Sequence, residues 1–217
     1  MIPSFYYQRY HEQIAVDIRN YINNLDNIVT PHANSPRTVG DALESLVADR
    51  FDHFLGDWCK EYSKDFARRA MADMAFTDIE GFHSMVDVKT HRENTDFNMP
   101  NLTSVRRLAR LYESDTDYFS LIMIKYQVDD LGLRVSDVLF SPIEFLDWQC
   151  LTIGALGRGQ IQIANLSINS QNNVKTSSLR HPKDLQHWAN SSVQFLERNI
   201  LDNHLDHPNL LFYLCPC

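Results

Sequence analysis

The run DMAFTDIEGFHSMVDVK, Asp73–Lys89, decides how the chain is read. DMAF (73–76) and FHSMVDVK (82–89) are short runs of strand-forming residues, and TDIEG between them carries the Asp and Gly of a turn. The spacing predicts an antiparallel hairpin. Alternate residues of a strand share a face. Phe82, Val86 and Val88 are therefore expected to face a core, with His83, Met85, Asp87 and Lys89 on the opposite side. Asp87 and Lys89 then enter the same space, and Asp73, opening the partner strand, lies at the same end of the sheet.

Outward from the hairpin, the hydrophobic spacing alternates between helix and strand. Residues 4–24 carry Phe5, Ile14, Ile18 and Ile22 at near-helical intervals, and 23–38 reads as a loop punctuated by Asn, Pro and Ser. The clearest helix spans 38–57, capped by Thr38, with Val39, Leu43, Leu46, Val47, Phe51, Phe54 and Leu55 as its apolar stripe. Helix is expected to continue over 60–70. After the hairpin come a loop over 91–101 and a helix led by Asn101 with Leu102, Val105, Leu108, Ala109 and Tyr112 inward. Strands follow over 117–128 and 133–140. Ser141, Pro142 and Glu144 form a capping-box pattern for a helix. A Gly-flanked strand over 157–166 and a last helix over 182–200 complete the reading. The fold class is α/β or α+β, a mixed sheet of about five strands flanked by helices.

The 217 residues show no obvious linker and suit one domain, residues 1–217. Composition is that of a globular protein, 44% hydrophobic and 22% charged, which argues against disorder. The first residues lack a basic region followed by an apolar run, so no signal peptide is expected. No window has the roughly 18 apolar residues of a membrane span. Cys59, Cys150, Cys215 and Cys217 have no disulfide-framework spacing, which points to a reduced, cytoplasmic protein. His204 and His207 lack the neighbours of a zinc set. A net charge of −8 counts against a protein that coats nucleic acid, though not against one that grips DNA in a local basic cleft.

Asp-x-Lys occurs once: the other five lysines, at 60, 64, 125, 175 and 183, have no acid two places before them. Alone, the pair reads as a surface ion pair at a strand end. Asp73 changes that reading. Two carboxylates at one end of a hairpin repel unless a cation joins them. Mg²⁺ prefers oxygen ligands and takes one or two carboxylates together with substrate phosphates, which makes Asp73 and Asp87 its candidate ligands. Lys89 adds a positive charge where a scissile phosphate would sit. Asp78 competes with Asp73 for the first acid, but TDIEG is better explained as the turn itself.

This is the content of the PD…(D/E)xK nuclease site, in which a further acid from a preceding helix is common; Glu44 on the 38–57 helix is placed for it. GDALESLVADRF, ADMAF, MVDVKT and MPNLTSVRRLA resemble type II restriction endonucleases of the HincII/EcoRV kind. They match, in turn, the helix with the outer acid, the acid-bearing strand, the Asp-x-Lys strand and the Pro-Asn-led helix after it. The likeness is strongest from about 40 to 112, and Ala72 stands where the nominal motif has proline. The resemblance implies a restriction-endonuclease-like core with catalytic Asp73, Asp87 and Lys89, and with Glu44 as a more remote catalytic acid. It implies Mg²⁺-dependent cleavage of double-stranded DNA at a palindromic sequence, leaving 5′-phosphates, with Mn²⁺ as a substitute and Ca²⁺ binding without turnover. A palindrome implies a homodimer, and residues up to about 37 are a candidate dimerisation part.

DNA contacts are expected from loops flanking this site. Arg92 follows it closely, and Arg106, Arg107 and Arg110 lie on the next helix. Asn98 and Asn101 can read base edges, and Phe97 or Met99 can wedge between base pairs. GALGRGQIQI places Arg158 and Gln160 where such enzymes carry a recognition loop, while Lys175 and Arg180 belong to a polar stretch suited to phosphate. The alternatives are a structure-specific repair or recombination nuclease on the same scaffold, a DNA-binding protein on a decayed nuclease fold, and an unrelated protein with a surface ion pair.

Overall fold

The computed structural model describes residues 3–25, 35–64, 72–95, 100–129, 132–146, 151–154 and 160–163. Five helices are described: α1 Ser4–Tyr7, α2 Tyr10–Asn23, α3 Pro36–Ala48, α4 Phe51–Leu55 and α5 Val105–Leu111. The strands are β1 Cys59–Ser63, β2 Met74–Asp78, β3 His83–Arg92, β4 Asn101–Ser104, β5 Asp117–Asp129, β6 Gly132–Pro142, β7 Leu151–Gly154 and β8 Gln160–Ile163.

The main sheet has five strands in the order β1-β2-β3-β5-β6. It is mixed: β3 and β5 are parallel, and the other neighbours are antiparallel. A second, antiparallel sheet has the order β4-β8-β7. The expected α+β class with a five-stranded mixed sheet is thus observed, and no described helix is long and apolar enough to cross a membrane.

Both faces of the main sheet are covered. On one, Val86 and Val88 of β3 and Ile122, Ile124 and Tyr126 of β5 pack with Phe5, Ile14, Ile18, Ile22, Leu43, Val47 and Phe51 from α1–α4. On the other, Met85, Phe119, Leu121 and Met123 pack with Leu102, Val105, Leu108 and Tyr112 around α5 and with Leu151, Ile161 and Ile163 of the small sheet. A strand buried on both faces reads as a continuous apolar run, which is what YFSLIMI (118–124) is. The side of β3 carrying Asp87 is therefore an interior and not an open surface.

Several boundaries differ from the sequence reading, each for a local reason. The first helix is broken at Arg9, whose φ of 66° places it in the left-handed region. Phe5 and Ile14 are nine residues apart, about two and a half turns at ~3.6 residues per turn, so one straight helix would aim them oppositely. The break lets both be buried. The main helix starts at Pro36 after Ser35, two residues before Thr38, using proline at its first position. Residues 59–63, expected as helix, form an edge strand on β2, because Gly56 at φ 53° ends the helical run.

The 91–101 loop is shorter than expected, since β3 runs to Arg92 and β4 begins at Asn101. The helix after it starts at Val105, with the Ser104 hydroxyl accepting from the Arg107 amide at 3.3 Å. Pro142 is still strand, so the Ser141–Pro142 pattern leads only to a 3-10 turn, Ile143–Phe145. Strand β7 was not anticipated. The last helix (182–200) lies outside the described residues, as does most of the 23–38 loop.

Helix α3 sits close on β3. A Cβ at Gly40 would lie 2.8 Å from Thr90 Oγ1, so glycine permits the approach. Gly40→Ala should therefore destabilise the fold despite alanine's higher helix propensity. Overpacking costs about 1–3 kcal/mol, against a gain of roughly 1 kcal/mol from the propensity. In a Thr90→Ala background the same change should become stabilising. Urea denaturation of the four proteins checks this, and additive effects would contradict so close a packing.

Candidate active site

Strand β3 is paired on both sides only over its first half. It pairs with β2 from His83 to Val86, and with β5 along its whole length to Arg92. Asp73 stands where β2 parts from it. The Asp73 amide still donates to the Val86 carbonyl at 3.0 Å. One residue pair further on, the Val88 amide donates to Asp73 Oδ2 at 2.6 Å. A side-chain carboxylate thus takes the place of a strand carbonyl, and the backbone amide remains satisfied.

Asp87 and Lys89 lie on either side of Val88 in β3. Lys89 Nζ is 2.7 Å from Asp87 Oδ2. The ammonium donates along a different direction, to the Val88 carbonyl at 3.3 Å, so Asp87 Oδ2 is buried with a close charge but no donor aligned to it. Glu44 lies one turn beyond Gly40 on α3 and reaches hydrogen-bonding contact with the Asp73 carboxyl, which also contacts Asp87. Three acids and one lysine, all four candidates from the sequence, therefore meet at the parting of β2 from β3, with Glu44 in direct contact with Asp73 where a more remote place was expected. The pair is not at the surface: Asp87 is 4% exposed.

Three carboxylates this close cannot all be charged without compensation. Burial pushes Asp87 up to about 7; Lys89 opposes the shift and Asp73 adds to it. Glu44 is also raised, by burial first and by Asp73 next. Without a cation, the carboxyl–carboxyl contacts must hold a proton. A divalent cation would supply positive charge in place of a proton, and Asp87 Oδ2, now 2.7 Å from the Lys89 ammonium, is an oxygen it could take. Among the described residues no group of three or more His, Cys, Asp or Glu is placed to hold a metal ion by itself. The donors present fit a cation that takes two carboxylates and completes its shell from a phosphate, which is the habit of Mg²⁺.

Asp78 has another task. It is 1% exposed, and its Oδ1 accepts from the Glu80 and Phe82 amides, both at 2.9 Å, holding the turn whose Gly81 has φ 88°. It does not join the acid cluster.

The expected DNA-binding residues divide into several groups. Arg92, at the end of β3, is half-buried and its Nε has no hydrogen-bond partner. Arg106 and Arg110 are exposed on α5. Asn101 is exposed on β4, and its Oδ1 accepts from Gln162 Nε2 at 2.8 Å. Gln160 lies on β8 opposite Ser104. Ile161 and Ile163 are fully buried, so Gln160 and Gln162 share the outward face of the small sheet with Asn101. Gln162 was missed in the sequence, although the alternation QIQI marked it. Asn98, Met99, Arg158, Lys175 and Arg180 lie outside the described residues, as does Phe97. No family model matches the chain, and no curated protein matches it.

The acid cluster has a measurable cost. An acid whose pKa is raised by folding is favoured in its protonated form, so stability is full below its unfolded pKa and declines as pH rises towards the folded value. For Asp87 that window runs from the ordinary 3.8 to about 7, with a limiting slope of about 1.4 kcal/mol per pH unit for one proton. Asp87→Asn, which mimics the protonated acid, should flatten the decline and be more stable than wild type at pH 8. Urea unfolding across pH 4–8 tests this; parallel profiles for the two proteins would contradict it.

Proposed function

We propose that the chain is a Mg²⁺-dependent endodeoxyribonuclease of the type II restriction kind, cutting both strands of DNA at a short palindromic sequence. The observation that carries this reading is the convergence of Asp73, Asp87 and Lys89 at the point where β2 leaves β3. Two acids and a lysine are brought together in a partly buried place, beside the point where the β2–β3 pairing ends. The resemblance over residues 40–112 supplies the specificity class and a homodimer to match the palindrome, and the cysteine usage supplies a cytoplasmic setting.

Asp73 and Asp87 would hold the cation, with Glu44 behind Asp73. When bound, the cation supplies Lewis acidity at the scissile phosphate. The chain's residues do the rest. The Val88 amide holds the Asp73 carboxylate in place. With Asp87 engaged by the cation, the Lys89 ammonium would be available to the phosphate, where it would stabilise the charge that develops. Water adds to phosphorus and gives up a proton to solvent, the bond to the 3′ oxygen breaks, and that oxygen takes a proton from solvent. The products carry a 5′-phosphate and a 3′-hydroxyl.

Lys89→Ala and Asp87→Ala should each abolish cleavage. Lys89→Ala should keep its fold and its DNA affinity, because it removes a charge at the phosphate and leaves groove contacts intact. Mg²⁺ or Mn²⁺ should be required. Ca²⁺ should support binding without turnover, since it takes the same oxygens with longer bonds and looser geometry. Cutting by Lys89→Ala at near wild-type rate, or full activity in EDTA, would overturn the assignment.

The outward row of Asn101, Gln160 and Gln162 is the proposed base-reading edge, since an amide offers a donor and an acceptor together. Asn101→Ala should cost about 1–3 kcal/mol in discrimination at one position of each half-site. Arg110→Ala should weaken binding to all sequences and flatten the salt dependence. Competition binding in Ca²⁺, varying each base pair, separates the two roles. Equal loss of cognate and random affinity in Asn101→Ala would make Asn101 a positioning residue.

A further inference from the structure

Away from the acid cluster, a polar cleft of about 400 Å³ opens beside β6, lined by Arg19, Asn23, Gln127, Arg134, Val135 and Ser136. Its floor is fixed. β6 is an edge strand, and at Val135 its outward backbone groups are taken by one side chain: Asn23 Nδ2 donates to the Val135 carbonyl at 2.9 Å, and Asn23 Oδ1 accepts from the Val135 amide at 2.8 Å. Val135 itself is buried. Among the described residues, the one acid bonded to the lining is Glu93, whose two oxygens accept from Gln127 and from Ser136. Neither Arg19 nor Arg134 has an acid partner among the described residues. Two guanidinium groups in no ion pair among the described residues, on a polar floor, match an anion with several acceptor oxygens.

The cleft lies towards the same end of the sheet as the acid cluster. Lys89 is opposite Met123, and Arg134 is opposite Gln127, four residues further along β5. At ~3.3 Å per residue and ~4.8 Å per strand, Arg134 is roughly 16 Å from Lys89 in the plane of the sheet. A duplex rises about 3.4 Å per base pair, so that separation spans about five base pairs. We infer that the Arg19–Arg134 cleft is a phosphate-binding site, taking a phosphodiester of the duplex about five base pairs from the cut. The phosphate chemistry stands on the cleft alone; its DNA source rests on the nuclease reading above.

The test uses the full chain, Arg19→Gln/Arg134→Gln, and a control, Arg9→Gln/Lys60→Gln, that removes the same charge elsewhere. Binding of a 30-base-pair duplex is followed by anisotropy against salt, and binding of inorganic tripolyphosphate by calorimetry. The cleft variant is expected to lose about tenfold or more in duplex affinity and to flatten the salt slope by about one phosphate contact. The control should lose markedly less, and Lys at both cleft positions should restore most of the slope. Tripolyphosphate binding lost in the cleft variant with duplex binding unchanged assigns the site to a free phosphate compound. Tripolyphosphate binding that depends on the two arginines, with no duplex binding by wild type, sinks the nuclease reading and keeps the site. Wild-type behaviour of the cleft variant towards both probes, losses equal to the control's, or no binding of either probe by wild type overturns the inference.

Discussion

The hydrogen bond from the Val88 amide to the Asp73 carboxylate is the contact on which the site depends. It stands where the β2–β3 ladder stops, and it solves a backbone problem and a chemical one together. Without it, β3 would leave a buried amide unsatisfied as β2 turns away. With it, an acid is held at the parting of two strands, within reach of Asp87 on β3 and Glu44 on α3. The same bond explains why β3 can be a central strand and still expose chemistry: β5 continues to pair with it as far as Arg92 after β2 has gone.

A second constraint is that both faces of the main sheet are interior. Helices α1–α4 cover one face, and α5 with the small sheet covers the other. Asp87 is therefore buried in spite of its charge, which raises its pKa and leaves the cluster short of positive charge. Lys89 supplies part of that charge from two residues away, and Gly40 lets α3 come close enough to bring in Glu44. The small sheet has a second use. Its inner isoleucines complete the core, while its outer amides, Asn101 and Gln162, are already aligned with each other.

The hairpin and its acids were legible in the sequence because strand alternation fixes faces and the turn residues fix the end at which they meet. Asp73, Asp87 and Lys89 could be placed together from that periodicity and a family resemblance, which also singled out Glu44 but not its contact with Asp73. The turn role of Asp78 followed from its place before Gly81. What could not be read was set by tertiary contacts. The strand at Cys59–Ser63 has no apolar alternation of its own and owes its form to pairing with β2. The break at Arg9 follows from the need to bury Phe5 and Ile14 on one side. The Arg19–Arg134 cleft joins residues more than a hundred positions apart, through an asparagine that seals a strand edge, and no local pattern announces that.

The central claim is that this cluster hydrolyses DNA at a defined sequence. It is tested most directly by digesting unmethylated phage DNA with the purified protein and Mg²⁺ and sequencing the fragment ends. The account predicts a fixed ladder of fragments whose 5′-phosphorylated ends share one short palindrome, and no fragments in EDTA. Intact DNA, a smear with no common end sequence, or cuts confined to nicks and branches would contradict it.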